Sequence, residues 1–229
     1  MSTSDDLAFL AALQLADSAM PIGRFVHSHG MESWLADKPN ATEREITVLV
    51  HDVVAASVAP LDGVILAHAH AARTVEAICA LDRALTARKL TPPARAASHS
   101  SGRRLAAIAP KLSADELIRG YAHAVLDGDA DGNIAVVEGV LGRALGLSVR
   151  HTVLLELRGV VAGLLSAAVR LGRLTPTEGQ LAMRALAPGL AEAASRALRE
   201  SLDGMFSAAL TVDIHALRHH RSETRFFAT

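Results

Sequence analysis

The chain has 229 residues, of which 23 are basic and 24 acidic, and this balance excludes the strongly basic surface with which proteins bind nucleic acids. Half of the residues are hydrophobic but only 3% are aromatic, which favours closely packed helices of alanine, leucine and valine over a β-sandwich. The single cysteine, Cys79, excludes an internal disulfide bond and a cysteine-based zinc site.

The first residues do not resemble a signal peptide, because Asp5 and Asp6 stand where such a peptide would be positively charged. The longest uncharged apolar run, residues 159–169, is shorter than the stretch of about 20 residues that spans a bilayer. We therefore expect a soluble, cytoplasmic protein that does not bind membranes.

The first predicted helix begins at Ser4, since Asp5 and Asp6 complement the positive end of the helix dipole, and it ends near residue 17. The segment that follows it is unusual for a helical bundle, where linkers are short.

We call residues 13–34 the opening stretch. A Pro-x-Gly break at residues 21–23 ends the first helix, and His27 and His29 flank Ser28. Apolar side chains stand beside these imidazoles, so the pattern indicates a shaped surface and not a simple connection.

Helix starts are predicted at four later positions. Thr42 and Ser113 each precede a glutamate by three residues, which is the capping-box pattern. Residues 175–178 predict another helix start, with a proline near its first position. Pro60 predicts the start of a helix that runs to about residue 90. Pro188 predicts a break or kink in the helix that starts at Thr175.

The remaining helices are predicted over residues 31–38, 94–108, 134–145 and 148–171. The sequence thus predicts an all-α bundle of about ten helices. It forms one domain over residues 1–229, in which residues 205–229 are a C-terminal docking tail.

Several glycines lie inside the predicted helices, where each costs up to about 1 kcal/mol relative to alanine. They are Gly139, Gly142, Gly159 and Gly163. Such glycines indicate close backbone approach, in helices that are buried or that self-associate, including at a dimer interface.

The chain lacks the common catalytic motifs: there is no Gly-Lys pair for a phosphate-binding loop, no H-E-x-x-H and no G-x-S-x-G. We therefore predict no catalytic, cofactor-binding or metal-ligating residue.

Two alternatives stay open: an enzyme of unknown chemistry, and a stand-alone nickel-binding protein that uses imidazole ligands. The candidate ligands are His27, His29, His215 and His219.

An acidic turn matches the spacing of a calcium-binding loop. The matching residues are Asp127, Asp129, Asp131, Gly132 and Glu138. Apolar residues at neighbouring positions favour a plain turn, and calcium binding remains a minor alternative.

Several groups of residues, in order along the whole chain, resemble the urease accessory protein UreF family. The N-terminal motif is matched by Leu13, Gln14, Leu15, Pro21, Gly23, Phe25, Ser28, Gly30 and Glu32. Later matches are an R-x-x-S-x-x-x-G-R-x-L element, a V-V-x-G…L-G-L element, an S-A-A-V-R-L helix and a D-I…R-H…R-x-F terminus. They occupy residues 95–105, 136–147, 166–171 and 213–227.

The sequence departs from this resemblance at four positions, one of which is Val26, where the family often has a serine. Arg24 stands where the family commonly has a second glycine, and Asn133 where a histidine is common. Glu223 takes the place of the usual tyrosine of the tail.

The resemblance implies a non-enzymatic, cytoplasmic chaperone that forms a homodimer and takes part in nickel insertion into urease. Its implied partners are UreD (also called UreH), the GTPase UreG, which it would recruit and regulate, and the urease apoprotein. Nickel could pass along such a protein, but tight nickel binding is not predicted.

We predict that the opening stretch and the tail together form one composite surface for these partners, since arginine and aromatic side chains are common interface anchors. The predicted partner-binding residues are Phe25, His27, Ser28, Glu32, Arg218, His219, Arg225 and Phe227.

Overall fold

The computed structural model of the chain describes residues 3–24 and 27–220, and this part contains eleven α-helices, one π-helix and no strand. In chain order the helices are α1 (Thr3–Ala16), α2 (Met31–Asp37), α3 (Glu43–Val53), the π-helix (Val54–Gly63), α4 (Val64–Ala71), α5 (Val75–Arg88), α6 (Pro92–Leu112), α7 (Glu116–Asp127), α8 (Ile134–Ala144), α9 (Val149–Arg170), α10 (Pro176–Ala197) and α11 (Leu210–His220). The predicted all-α bundle is confirmed.

One of the two predicted capping boxes, at Thr42, is present, and Thr175 forms another that was not predicted. The hydroxyls of Thr42 and Thr175 accept from the backbone three residues on, and the glutamates there bond back. The predicted box at Ser113 is wrong, because Asp115 and not Ser113 caps α7. The Asp115 carboxylate accepts from two amides of the first turn, at 3.0 and 3.1 Å, and these would otherwise lack partners.

Pro60 does not start a helix, which corrects the prediction. The chain continues from α3 through the π-helix, and Pro60 lies inside it. Pro60 has no N–H to donate to the carbonyl of Ala56, its α-helical partner. That carbonyl instead accepts from the amide of Ala208 at 2.8 Å, so the π-helix becomes a docking edge for the segment before α11.

Two other helix predictions differ from the structure. The helix predicted to reach residue 90 is split, because Thr74 caps a separate α5 after an extended residue at Ala72. The helix that begins after Thr175 is not broken at Pro188, which lies within α10.

One continuous hydrophobic core runs from Leu15 in α1 to Met205 before α11, so the described chain folds as a single domain. Helix α9 lies at its centre and packs against α1, α4, α8 and α10. Alanine, leucine and valine dominate this core, as the low aromatic content predicts.

Two helical stretches, Glu43–Ala71 and Val149–Arg170, have the length and apolar composition of a membrane span. The structure buries 61% and 56% of their apolar windows inside the protein, as in the core helices of a folded bundle.

Candidate functional site

The side chain of Arg24, in the opening stretch, reaches into the core between α8 and α9. Its guanidinium donates from Nη1 to Oε2 of Glu156 at 2.7 Å and from Nη2 to Oε1 of Glu138. The Arg24 side chain is 12% exposed and each glutamate side chain 3%. We call this group the Arg24 clamp (Arg24, Glu138, Glu156). It ties the opening stretch to two core helices.

The clamp combines one guanidinium with two carboxyl groups, so their pKa values diverge. Burial raises the pKa of Glu138 well above its ordinary value, with Glu156 adding to the effect and Arg24 opposing it. Burial also acts against the charge of Glu156, but Arg24 brings the pKa of that carboxyl below its ordinary value. Of the two carboxyl groups, Glu138 is therefore the one that binds a proton more readily, and Glu156 is the one that pairs with Arg24 as a carboxylate.

Gly159 makes room for the clamp. A Cβ atom at this position would lie 2.4 Å from Nη1 of Arg24, so an alanine would push the guanidinium out of place. The helical glycines predicted close approach by neighbouring groups, and at Gly159 that neighbour is a side chain of the same protein. Likewise, a Cβ on Gly139 would lie 2.7 Å from the carbonyl of Leu66, and one on Gly142 would press on Thr152.

Of the two histidines of the opening stretch, His27 lies inside the protein and His29 is partly exposed. His27 is 5% exposed and Ser28 is fully buried, so neither lies on the surface of the single chain. His29 has a left-handed backbone (φ 48°), and its ring centroid lies 6.1 Å from that of His27. Burial, together with the charge of His27, lowers the pKa of His29 to about 4, so the ring is neutral at neutral pH.

The other predicted partner-binding residues lie at or beyond the edges of the described chain. Glu32 is partly exposed on α2. Arg218 and His219 lie on α11, with side chains outside what the structure describes. Phe25, Arg225 and Phe227 lie outside the described residues. Their partner-binding role stays a prediction.

The structure does bring the opening stretch and the C-terminal part together, through a contact between α2 and α11. The ring of His215 lies 3.3 Å from the hydroxyl of Ser33 and 3.6 Å from the carboxylate of Asp37. Two segments separated by 182 residues therefore share one face of the protein.

A cavity of about 130 Å³, with a largely apolar wall that also carries ionisable groups, lies between the clamp and α11. Its ionisable lining residues are Arg24, His29, Asp62, Lys89, Glu156 and Asp213. Lys89 is already engaged, since its ammonium donates to Asp62 at 2.6 Å.

The described residues contain no group of three or more histidine, cysteine, aspartate or glutamate side chains that could hold a metal ion. The calcium-loop alternative conflicts with the geometry, because Glu138 lies within α8 and is bound to Arg24. The backbone at the end of that turn is held by Asp82, whose carboxylate accepts from the amides of Gly132 and Asn133 at 2.7 and 2.9 Å.

The clamp residues were not among the predicted site residues. A signal for two of them exists in the sequence, since Glu138 and Glu156 each stand within an otherwise apolar helical segment. A buried carboxylate requires a partner. Nothing local identifies that partner as Arg24.

The fit of Arg24 against Gly159 leads to a comparison within α9. Gly159→Ala should lower the free energy of unfolding by about 1–3 kcal/mol, because the added methyl displaces a guanidinium that two carboxyl groups hold. Gly163→Ala is the matched control. Its Cβ would meet only the Arg24 carbonyl, at 3.8 Å, and it should gain about 0.5–1 kcal/mol from helix propensity. Urea denaturation measures both, and equal effects of the two substitutions would contradict this packing.

The two carboxyl groups should substitute for each other. In Glu138→Gln or Glu156→Gln the remaining glutamate can ionise against Arg24, so each should cost about 1 kcal/mol or less. The double substitution leaves a buried arginine without a charged partner and should cost about 3–5 kcal/mol. Denaturation of the wild type, the two single variants and the double variant gives the coupling energy between the two glutamates. Additive effects within about 0.5 kcal/mol would argue against a shared role.

Comparison with known proteins identifies the family of the chain. A family model described as UreF matches residues 41–187. A protein named "Urease accessory protein UreF" from Cereibacter sphaeroides (strain KD131 / KCTC 12085) is 32% identical over 224 residues, covering 97% of this chain and 99% of that protein. Proteins of the same name from Trichodesmium erythraeum (strain IMS101) and Kocuria rhizophila (strain ATCC 9341 / DSM 348 / NBRC 103217 / DC2201) are 29% and 28% identical. They cover 100% and 95% of this chain, and the same shares of their own lengths.

The matches extend across the opening stretch, the core helices and the C-terminal part. The chain belongs to the UreF family of urease accessory proteins.

Proposed function

We propose that this chain is a non-catalytic, cytoplasmic adaptor in the maturation of urease. In this role it binds UreD (also called UreH), recruits and regulates the GTPase UreG, and so helps nickel to reach the urease apoprotein. Family membership over nearly the full chain supports the accessory role. In this proposal the partner GTPase carries out nucleotide hydrolysis, and the lack of a phosphate-binding loop in the sequence is consistent with that division of roles.

The observation that carries the docking part of the proposal is the contact between α2 and α11. It places two segments that the sequence singled out as partner-binding on one continuous face. The outer side of α11 exposes three apolar residues at helical spacing, Leu210, Ile214 and Leu217, which are 64%, 49% and 40% exposed. Apolar side chains on a helix are typical anchors for a partner groove.

In this proposal, the two buried residues of the predicted partner-binding set, His27 and Ser28, act indirectly. His27 and Ser28 shape the turn that leads into α2, and the Arg24 clamp fixes that turn on the core. Direct contact is left to residues such as Glu32, Arg218 and His219, together with Arg225 and Phe227.

Homodimer formation is part of the proposal. Helix α1 exposes apolar side chains that an interface would cover: Leu7, Phe9, Leu10 and Leu13 are between 53% and 63% exposed. For nickel, we propose passage along the assembled complex without tight binding by this chain.

Capture of purified cognate UreD and UreG on immobilised protein tests the docking surface. The double substitution Ile214→Ser and Leu217→Ser should reduce UreD capture by about tenfold or more, because it removes two adjacent apolar anchors. Leu181→Ser on α10, also exposed (60%), is the matched control and should leave capture unchanged.

Arg225→Ala combined with removal of the last four residues tests the tail. Undiminished capture by both altered proteins would overturn the proposed surface.

A further inference from the structure

Helix α11 and the segment before it cover one side of the cavity. The segment is held on the π-helix by two backbone hydrogen bonds, Ala208 to Ala56 at 2.8 Å and Phe206 to Pro60 at 3.3 Å. The helix itself lies across α2 and α6. Ala209 and Asp213 face the cavity as part of its wall.

Asp213 is poorly accommodated in this closed position. Its Oδ2 atom is buried and has no hydrogen-bond partner. Lys89, the cation that acts on it across the cavity, is already bound to Asp62 at 2.6 Å. A buried carboxylate oxygen that lacks a partner costs free energy, and lifting the helix would return it to water.

The described side chains of α11 offset this cost little. None of them is fully buried, and Leu210, Ile214 and Leu217 are exposed. Polar contacts of His215 with Ser33 and Asp37 hold the helix on α2. Such a weakly packed helix belongs to the part of a protein that opens most easily.

We propose that α11 is a lid over the cavity, kept ready to lift because its closed position leaves Oδ2 of Asp213 buried without a hydrogen-bond partner. The lid is a property of this chain alone and does not depend on which partner binds its outer side. Lifting exposes the cavity wall, with His29 and the Asp62–Lys89 pair, to solvent.

The charge balance around Asp213 sets the pH dependence. Facing the cavity are Lys89 and Asp62, the clamp residues Arg24 and Glu156, and the neutral ring of His29; Glu32 and Asp37 are on α2. Burial raises the pKa of Asp213, and Lys89 only partly offsets this. Because the raised value belongs to the closed lid, closure is favoured at low pH and weakens as pH rises above the ordinary aspartate value of 3.8.

Hydrogen exchange of the α11 amides, corrected for the intrinsic pH dependence, tests the lid in the full-length protein. Asp213→Asn removes the buried charge and should slow exchange at neutral pH by about fivefold or more. It should also flatten the pH profile. Asp203→Asn, an exposed aspartate in the same region of the chain, is the matched control and should change neither.

A third variant acts in the opposite direction. His215→Ala removes the contacts with Ser33 and Asp37 and should speed exchange in α11 while α9 stays protected. Unchanged or faster exchange in Asp213→Asn, with an unaltered thermal unfolding midpoint, would overturn the proposal. So would a wild-type α11 protected as strongly as α9.

Discussion

One buried arginine determines where the opening stretch lies. Arg24 reaches between α8 and α9 and bonds two glutamates that are 114 and 132 residues away in sequence. A guanidinium at this depth is tolerated only with charged partners, and two carboxyl groups at this depth are tolerated only with a cation. Arg24 without both carboxyl groups, or the two carboxyl groups without Arg24, would destabilise the core. The clamp therefore acts as a unit, and Gly159 leaves the space that it needs.

The position of the C-terminal part follows from this anchor. With the opening stretch fixed, α2 presents Ser33 and Asp37 to His215 of α11, while the π-helix offers the Ala56 carbonyl to Ala208. Among the described contacts, polar ones hold this part of the chain above the cavity: the contacts of His215, in α11, and the backbone hydrogen bonds of the segment before it. That arrangement suits a segment whose outer face meets partners, because it can be repositioned without disturbing the helices beneath it.

Local chemistry was enough to predict much of the fold. Thr42 caps a helix because a glutamate stands three residues on, and the low aromatic content led to a helical core. The prediction that Pro60 starts a helix was wrong. A proline suits the first turn of a helix, but it also suits the interior of a helix when the carbonyl that it leaves free accepts from a distant segment, as Ala56 does from Ala208. Arg24 was noticed only as a departure from the family pattern. Its partners lie on other helices, and no spacing in the sequence links them; only the isolated glutamates of α8 and α9 indicate that a buried cation is needed.

The most direct measurement of the central claim is hydrogen exchange of the opening stretch in Arg24→Met, compared with Arg158→Met at an exposed position of α9. If the clamp holds this stretch on the core, Arg24→Met should speed exchange at residues 17–24 and 27–34 by about tenfold or more, with α5 to α7 unchanged. Arg158→Met should leave both regions as they are. Equal protection of the opening stretch in the two variants would contradict the account.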